Sequence, residues 1–186
     1  MESIGFKEWA AVCEALGLGE QSIILRKGGL VEGREGFAFR HREFFLFPTW
    51  FHEQPGKVRE IDFKFPQANP ARIDIKHSAT LDLVRTITSW KTVEALAPLH
   101  ILKSAVVRER FEYDDVPGVH VALVRVFRLV PKWTIVDEPR YGGCRSWVNL
   151  PPFPAEVRFE PILGDADHAA RRARFLNIVG PGEVSD

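Results

Sequence analysis

Cysteine is scarce: the 186-residue chain holds two, Cys13 and Cys144, far apart in sequence. Two such residues build neither a disulfide framework nor a cysteine-rich zinc site, and both are expected to be reduced. Net charge is absent as well, because 25 basic and 25 acidic side chains cancel. This excludes a uniformly basic nucleic-acid coat and a polybasic membrane anchor, though not a local basic patch. No apolar run is long enough to span a bilayer. The first nine residues carry Glu2, Lys7 and Glu8 and lack the apolar stretch of a secretory signal. These absences lead to the expectation of a soluble, cytoplasmic protein with no membrane partner.

Several strong motifs are missing too. There is no Walker phosphate loop, and Lys27-Gly28-Gly29 holds too few glycines for a dinucleotide fingerprint. There is no Gly-x-Ser-x-Gly elbow. His52-Glu53 begins like a zinc-protease helix, but Gly56 stands where the second histidine belongs and Pro55 breaks the helix. Zinc is therefore dropped, and no cofactor is expected.

What is present is globular. At 45% hydrophobic residues, with 14 Phe and 5 Trp, the chain is too apolar for a solvating tail. Its length predicts one domain over 1–180, followed by a short tail at 181–186. Phe6, Trp9, Ala10, Cys13 and Leu16 share one helical face, which predicts a first helix stopped by Gly17 and Gly19. Ser22 to Arg26 reads as a strand, and residues 31–42 as an exposed loop or hairpin. Glu43 to Phe47 is nearly all apolar and predicts a strand buried on both faces, ended by Pro48. Residues 57–72 read as an exposed excursion. Ile73 to Ile87 alternates as a strand with a bend near His77-Ser78. Thr92 to Leu96 reads as a helical turn, and Ser104 to Phe111 as a helix. Val119 to Val130 predicts the longest strand, with Trp133 in the following loop. Arg145 to Leu150 reads as a short strand, and Asp165 to Asn177 as a last helix. This order lacks regular strand–helix alternation. It predicts an α+β fold with a mixed or mainly antiparallel sheet, partly closed as a barrel and flanked by about three helices.

Three constellations could carry chemistry. The first is basic and aromatic residues on turns: Arg26, Lys27, Gly28 and Gly29; then Trp50, Phe51 and His52; then Tyr141, Gly143, Arg145 and Trp147. Arginine and lysine donate to phosphates, aromatic rings stack on bases, and glycine lets the backbone approach a ligand. The plain alternative is turn glycines beside half-buried aromatics. The second is Asp62 with Asp74-x-Lys76, the pattern of a Mg²⁺-dependent nuclease that holds the metal on carboxylates and a lysine near the attacking water. Glu14 could add a third carboxylate. The plain alternative is a solvated strand face, since alternation puts Asp74 and Lys76 on one side. The third is Cys144 as a nucleophile beside Arg145, with His52 as base. The arginines at 108, 110, 171, 172 and 174 read as solvent faces of helices. His77, His100, His120 and His168 lack ligand spacing and read as surface or hydrogen-bonded residues.

The blocks Lys7-Glu8-Trp9, Gly19-Glu20-Gln21, Leu25-Arg26-Lys27-Gly28-Gly29 and Phe45-Leu46-Phe47-Pro48-Thr49 with His52 resemble the bacterial domain-of-unknown-function family 1802. So do Leu99-His100-Ile101, Arg110-Phe111 and Tyr141-Gly142-Gly143-Cys144-Arg145-Ser146-Trp147. The resemblance runs from Lys7 to about Leu150 and fits least over residues 57–90. It implies a prokaryotic protein without assigned activity. Some members are linked to Mrr-type endonuclease domains, which implies an endonuclease partner and a restriction or defence setting. Ala10 to Arg26 also resembles the PUA-like barrels, including the ASCH class, where a helix leads through a turn into a strand. That resemblance implies binding of RNA or modified bases. The leading expectation is a non-catalytic module that recognises nucleic acid, including a flipped or modified base. The alternatives are the Mg²⁺ nuclease and a protein-interaction subunit.

Overall fold

The fold was taken from a computed structural model, which describes residues 2–27, 37–51, 54–60, 64–65, 67–69 and 71–180. Gly28, Gly29, His52 and Asp62, and residues 31–36 of the expected 31–42 loop, lie outside the described residues. The strands are β1 (Ile4–Trp9), β2 (Ile23–Arg26), β3 (Glu43–Thr49), β4 (Arg72–Ile87), β5 (Val119–Val136), β6 (Trp147–Asn149) and β7 (Arg158–Pro161). The helices are α1 (Ala10–Gly17), α2 (Gln54–Lys57), α3 (Trp90–Ala95), α4 (Ser104–Phe111) and α5 (Asp165–Val179). One sheet joins all seven strands in the order β2-β5-β4-β3-β1-β6, with β7 alongside β5. Every described pairing is antiparallel except β1 with β3. The fold is thus mixed α+β with a mostly antiparallel sheet. The sheet stays open, since β2 and β6 do not pair.

β3 shows how the sheet divides the interior. Phe44 and Leu46 enter one core, with α1, α3, α4 and Phe175 of α5. Phe45 and Phe47 enter a second core, with Ile75, Trp133, Ile135 and Tyr141. An unbroken apolar strand is what burial on both faces requires. Pro48 does not end this strand. β4 pairs only with Glu43 to Phe45, so the missing amide at Pro48 breaks no bond on that side.

Two further expectations are corrected. The helical stripe that begins at Phe6 is a strand up to Trp9, and the helix starts at Ala10. Partners distant in sequence decide this: β1 is clamped between β3 and Trp147–Asn149 of β6. Trp133 lies inside β5, not in a loop, and is buried opposite Ile75.

β4 and β5 form the long axis, with register shifts at Ile75/His77 and Leu81/Leu83. At the first, β4 changes face. Ile73 and Ile75 pack in the second core and Ala79 in the first, although regular alternation would keep them together. At the second, the extra residue is Asp82. Its carboxylate meets His168 Nε2 at 2.9 Å and Arg172 Nε at 3.3 Å, docking α5 on the sheet. Arg171 donates to the Gly19 carbonyl at 3.1 Å. None of the described helices is long and apolar enough to cross a membrane.

Candidate binding cleft

A cleft of about 140 Å³ opens between α1, the end of β3 and the face change of β4. α1 contributes Ala10, Cys13 and Glu14, and β3 contributes Leu46 and Pro48. Trp50 and Gln67 add one wall, and Asp74, Lys76 and His77 the other. Consecutive residues Lys76 and His77 both reach this cleft because alternation fails there. The rim is pinned by Gln54, a buried side chain. Its Oε1 accepts from the Ala11 amide at 3.2 Å, and its Nε2 donates to the Thr49 carbonyl at 2.7 Å.

The polar groups of the cleft are paired by charge. Lys76 Nζ donates to Glu14 Oε2 at 3.0 Å. Asp74 accepts from Lys132 Nζ at 2.5 Å and from Thr134 Oγ1 at 2.7 Å. Burial opposes ionisation of Asp74, but these two hydrogen bonds and the nearby lysines hold its carboxyl below the ordinary value. Burial pushes the Cys13 thiol well up, and Glu8 acts in the same direction, so this sulfur is no thiolate nucleophile. His77 is neutral: burial, with Lys76 and Arg128, lowers it to about 4 against the pull of Glu14. The Trp50 indole Nε1 is buried with no hydrogen-bond partner among the described residues. A buried donor without a partner is a costly state that a ligand acceptor would relieve.

The nuclease constellation is thus partly assembled, with Glu14, Asp74 and Lys76 around one cleft. Among the described residues, however, no three of His, Cys, Asp and Glu group closely enough to hold a metal ion. Both carboxylates are held by lysines, Glu14 by Lys76 and Asp74 by Lys132, and Asp62 lies outside the described residues.

The basic and aromatic turns only partly meet. Arg26, at the end of β2, lies over the Phe6 ring at 4.8 Å. Trp147 packs edge-on against the same ring at 4.8 Å. Trp50 lies apart from both, in the cleft. Lys27 forms an ion pair with Asp114 at 2.8 Å and lines a second cavity with Phe37, Thr86 and His120. Tyr141 is 4% exposed and packs on Phe47, so its ring is not offered to solvent. Gly143 takes φ +76°, a left-handed turn that favours glycine. Arg145 and Cys144 are exposed on that turn. Sequence reasoning missed His77, Gln67 and Cys13 as cleft residues, because only the folded chain sets His77 of β4 and Gln67 beside Cys13 of α1. Arg110 was read as a solvent-face residue. It is half-buried, with its guanidinium over the Trp9 ring at 4.7 Å.

Lys7 fastens the 141–147 turn. It is buried in β1, and its Nζ donates to the carbonyls of Gly142 at 3.0 Å and Gly143 at 2.9 Å. Burial is the main cause that lowers its pKa. Lys7→Met should release the turn at a cost of about 1–2 kcal/mol. Amide exchange at Cys144 and Arg145 should rise in that variant. Unchanged exchange would show that the turn holds without Lys7.

The chain matches the family described as Domain of unknown function (DUF1802) over residues 5–174, and it belongs to that family. No curated protein matches. Among solved structures, the chain is similar to an ASCH protein from Zymomonas mobilis. The TM-score is 0.43 at 11% identity, over 91% of this chain and 93% of that chain. Two mutant forms of that protein are also similar at 11% identity. One gives a TM-score of 0.42 over 91% of this chain and 93% of that one. The other gives 0.40 over 93% and 97%. This is a distant likeness, and it says nothing of what this chain binds.

Proposed function

We propose that this protein recognises nucleic acid by receiving one base, flipped or unpaired, in the cleft beside Trp50. The observation that carries this reading is the pairing of an indole bearing an unpartnered buried N–H with a ring of donors and acceptors. Trp50 supplies a stacking surface, and Asp74, Lys76, Glu14 and Gln67 supply hydrogen-bonding groups for a base edge. The cleft is small for a drug-sized ligand but suits a single heterocycle. Arg26, Lys27 and Arg145 are proposed contacts for the strand backbone. A restriction or defence setting, with an endonuclease partner, is part of the proposal and rests on the family association alone.

The test is fluorescence anisotropy against labelled single-stranded DNA, duplex DNA and RNA, with and without base modification, across a salt series with Mg²⁺. Trp50→Ala should weaken binding about tenfold by loss of one stacked base. Arg145→Ala should weaken binding to all sequences and reduce the salt slope by about 1. Unchanged affinity in both variants would remove these assignments. Mg²⁺-dependent product bands that vanish in Asp74→Asn would favour the nuclease. Absence of binding at low salt would favour the protein-interaction subunit.

A further inference from the structure

Two guanidinium groups lie over aromatic rings of β1, and one of them pairs with a buried carboxylate of that strand. Glu8 is 1% exposed. Its Oε1 accepts from the Trp9 amide at 2.8 Å, and its Oε2 lies 3.5 Å from Arg26. Arg26 donates to the Lys7 carbonyl and lies over Phe6. Arg110, on α4, donates to the Leu25 carbonyl at 2.8 Å and lies over Trp9. Each guanidinium is therefore fixed by one carbonyl and one ring, and the two rings flank Glu8 in sequence.

Among the described residues the charges do not balance. Among the described residues, Glu8 is the carboxylate that pairs with Arg26, Arg110 has no carboxylate within ion-pair distance, and the Arg26 Nε is buried without a partner. Arg110 is lowered to about 10, first by burial and then by Arg26, against the pull of Glu8 and of exposed Glu109. Arg59 adds a further cation to this region. It donates to the Ala97 carbonyl at 2.8 Å and to the His100 carbonyl. Together with Arg110 it opposes protonation of His100. Uncompensated positive charge in a half-buried place is unfavourable unless an anion joins it. Planar guanidiniums held in place suit the oxygens of a phosphate.

We propose that Arg26 and Arg110 form a phosphate clamp, each guanidinium set by its aromatic ring on β1. The nucleic-acid form of this proposal rests on the reading above: the phosphate belongs to the strand whose base enters the cleft. The two places are linked through chain neighbours and one ring contact. Trp9 precedes Ala10 of the cleft wall, and Trp50 precedes Phe51, whose ring meets Trp9 edge-on at 4.9 Å.

Two measurements test the clamp. The first compares the thermal midpoint in sodium phosphate and in sodium chloride at matched ionic strength. Phosphate should raise the midpoint of the wild-type protein, and Arg110→Gln should abolish that difference. Each protein serves as its own reference, so a general loss of stability does not enter. The second compares binding of a single-stranded dinucleotide with its uncharged methylphosphonate analogue. The phosphodiester should bind about tenfold tighter to wild type, and the two should bind alike to Arg110→Gln. Arg110→Lys, which keeps the charge but not the fork, should retain part of that preference. Trp50→Ala should weaken both dinucleotides equally, which separates the cleft from the clamp. A phosphate shift that is lost in Arg110→Gln, with no dinucleotide bound by any protein, would assign the clamp to free phosphate and end the nucleic-acid reading. A phosphate shift kept in Arg110→Gln, or absent from wild type, would overturn the clamp.

Discussion

Gly17→Ala is expected to lower stability by about 3 kcal/mol, a fall in Tm of about 6–12 °C for a chain of this size. Gly17 is the last residue of α1. A Cβ placed there would lie 2.1 Å from His77 Cε1 and 2.2 Å from His77 Nε2. No real contact is that short, so the ring or the helix has to move. Neither moves freely: Gly17 and His77 are both buried, and Ala15 and Leu16 anchor α1 in the first core. The same displacement would distort the cleft, which both elements line. Thermal unfolding of Gly17→Ala checks this, with Gly56→Ala as the control, because a Cβ at Gly56 meets nothing within 4 Å. In the Gly17→Ala background, His77→Ala should cost less than it does alone, since it removes the clash. A Gly17→Ala protein with the wild-type Tm would refute the close packing.

Acid should weaken the protein well before its carboxylates titrate. His77 is 7% exposed and His100 2% exposed. Burial is the main cause that lowers each to about 4, and Arg59 and Arg110 add to it at His100. His100 also uses Nδ1 to accept from the Leu102 amide at 3.1 Å, a bond that protonation would break. The sign follows from proton binding. Between about pH 6.5 and pH 4 the unfolded chain takes up protons at these positions and the folded protein does not, so stability falls as pH falls. Each histidine should cost about 2 kcal/mol between pH 7 and pH 5, and the cost should level off below pH 4. Urea unfolding at pH 7 and pH 5 measures this. His100→Asn should remove about half of the pH-dependent loss, whatever it does to stability at pH 7. A loss of the same size in wild type and in both single histidine variants would place its origin elsewhere.

Local periodicity made much of this fold legible. β3 announces itself by four consecutive apolar residues, Phe44 to Phe47, and the two-faced burial follows from them. β4, α4 and α5 could be placed within a few residues, because alternation or helical spacing is strong there. β1 could not. Phe6, Trp9 and Cys13 fit a helix, and what makes Ile4 to Trp9 a strand is pairing with residues about 40 and 140 positions away. β5 was cut short at Pro131, although Trp133 and Ile135 continue its alternation beyond that proline. β7 was invisible because all four of its residues are exposed, so no face stands out. At the site, Glu14, Trp50, Asp74 and Lys76 were nameable from residue type and spacing. His77 and Gln67 were not, since the break in β4 alternation that exposes His77 to the cleft leaves no mark in composition. Arg110 carried no signal either, because an arginine on an exposed helix looks the same whether or not a tryptophan lies beneath it.

The place of β1 also sets an order of events during synthesis. Its first neighbour, β3, emerges early, but its second, β6, follows about a hundred residues later. At ordinary translation rates that interval is about 5–20 s. During it, the outer edge of β1 has no strand beside it, and the second core lacks Trp133, Ile135 and Tyr141. The apolar face of β3, with Phe45 and Phe47, stays uncovered over the same interval. A nascent chain of this kind is a substrate for chaperones and for edge-to-edge association. Its yield in a cell will follow the speed of the ribosome through residues 50–147 as much as the stability of the finished fold.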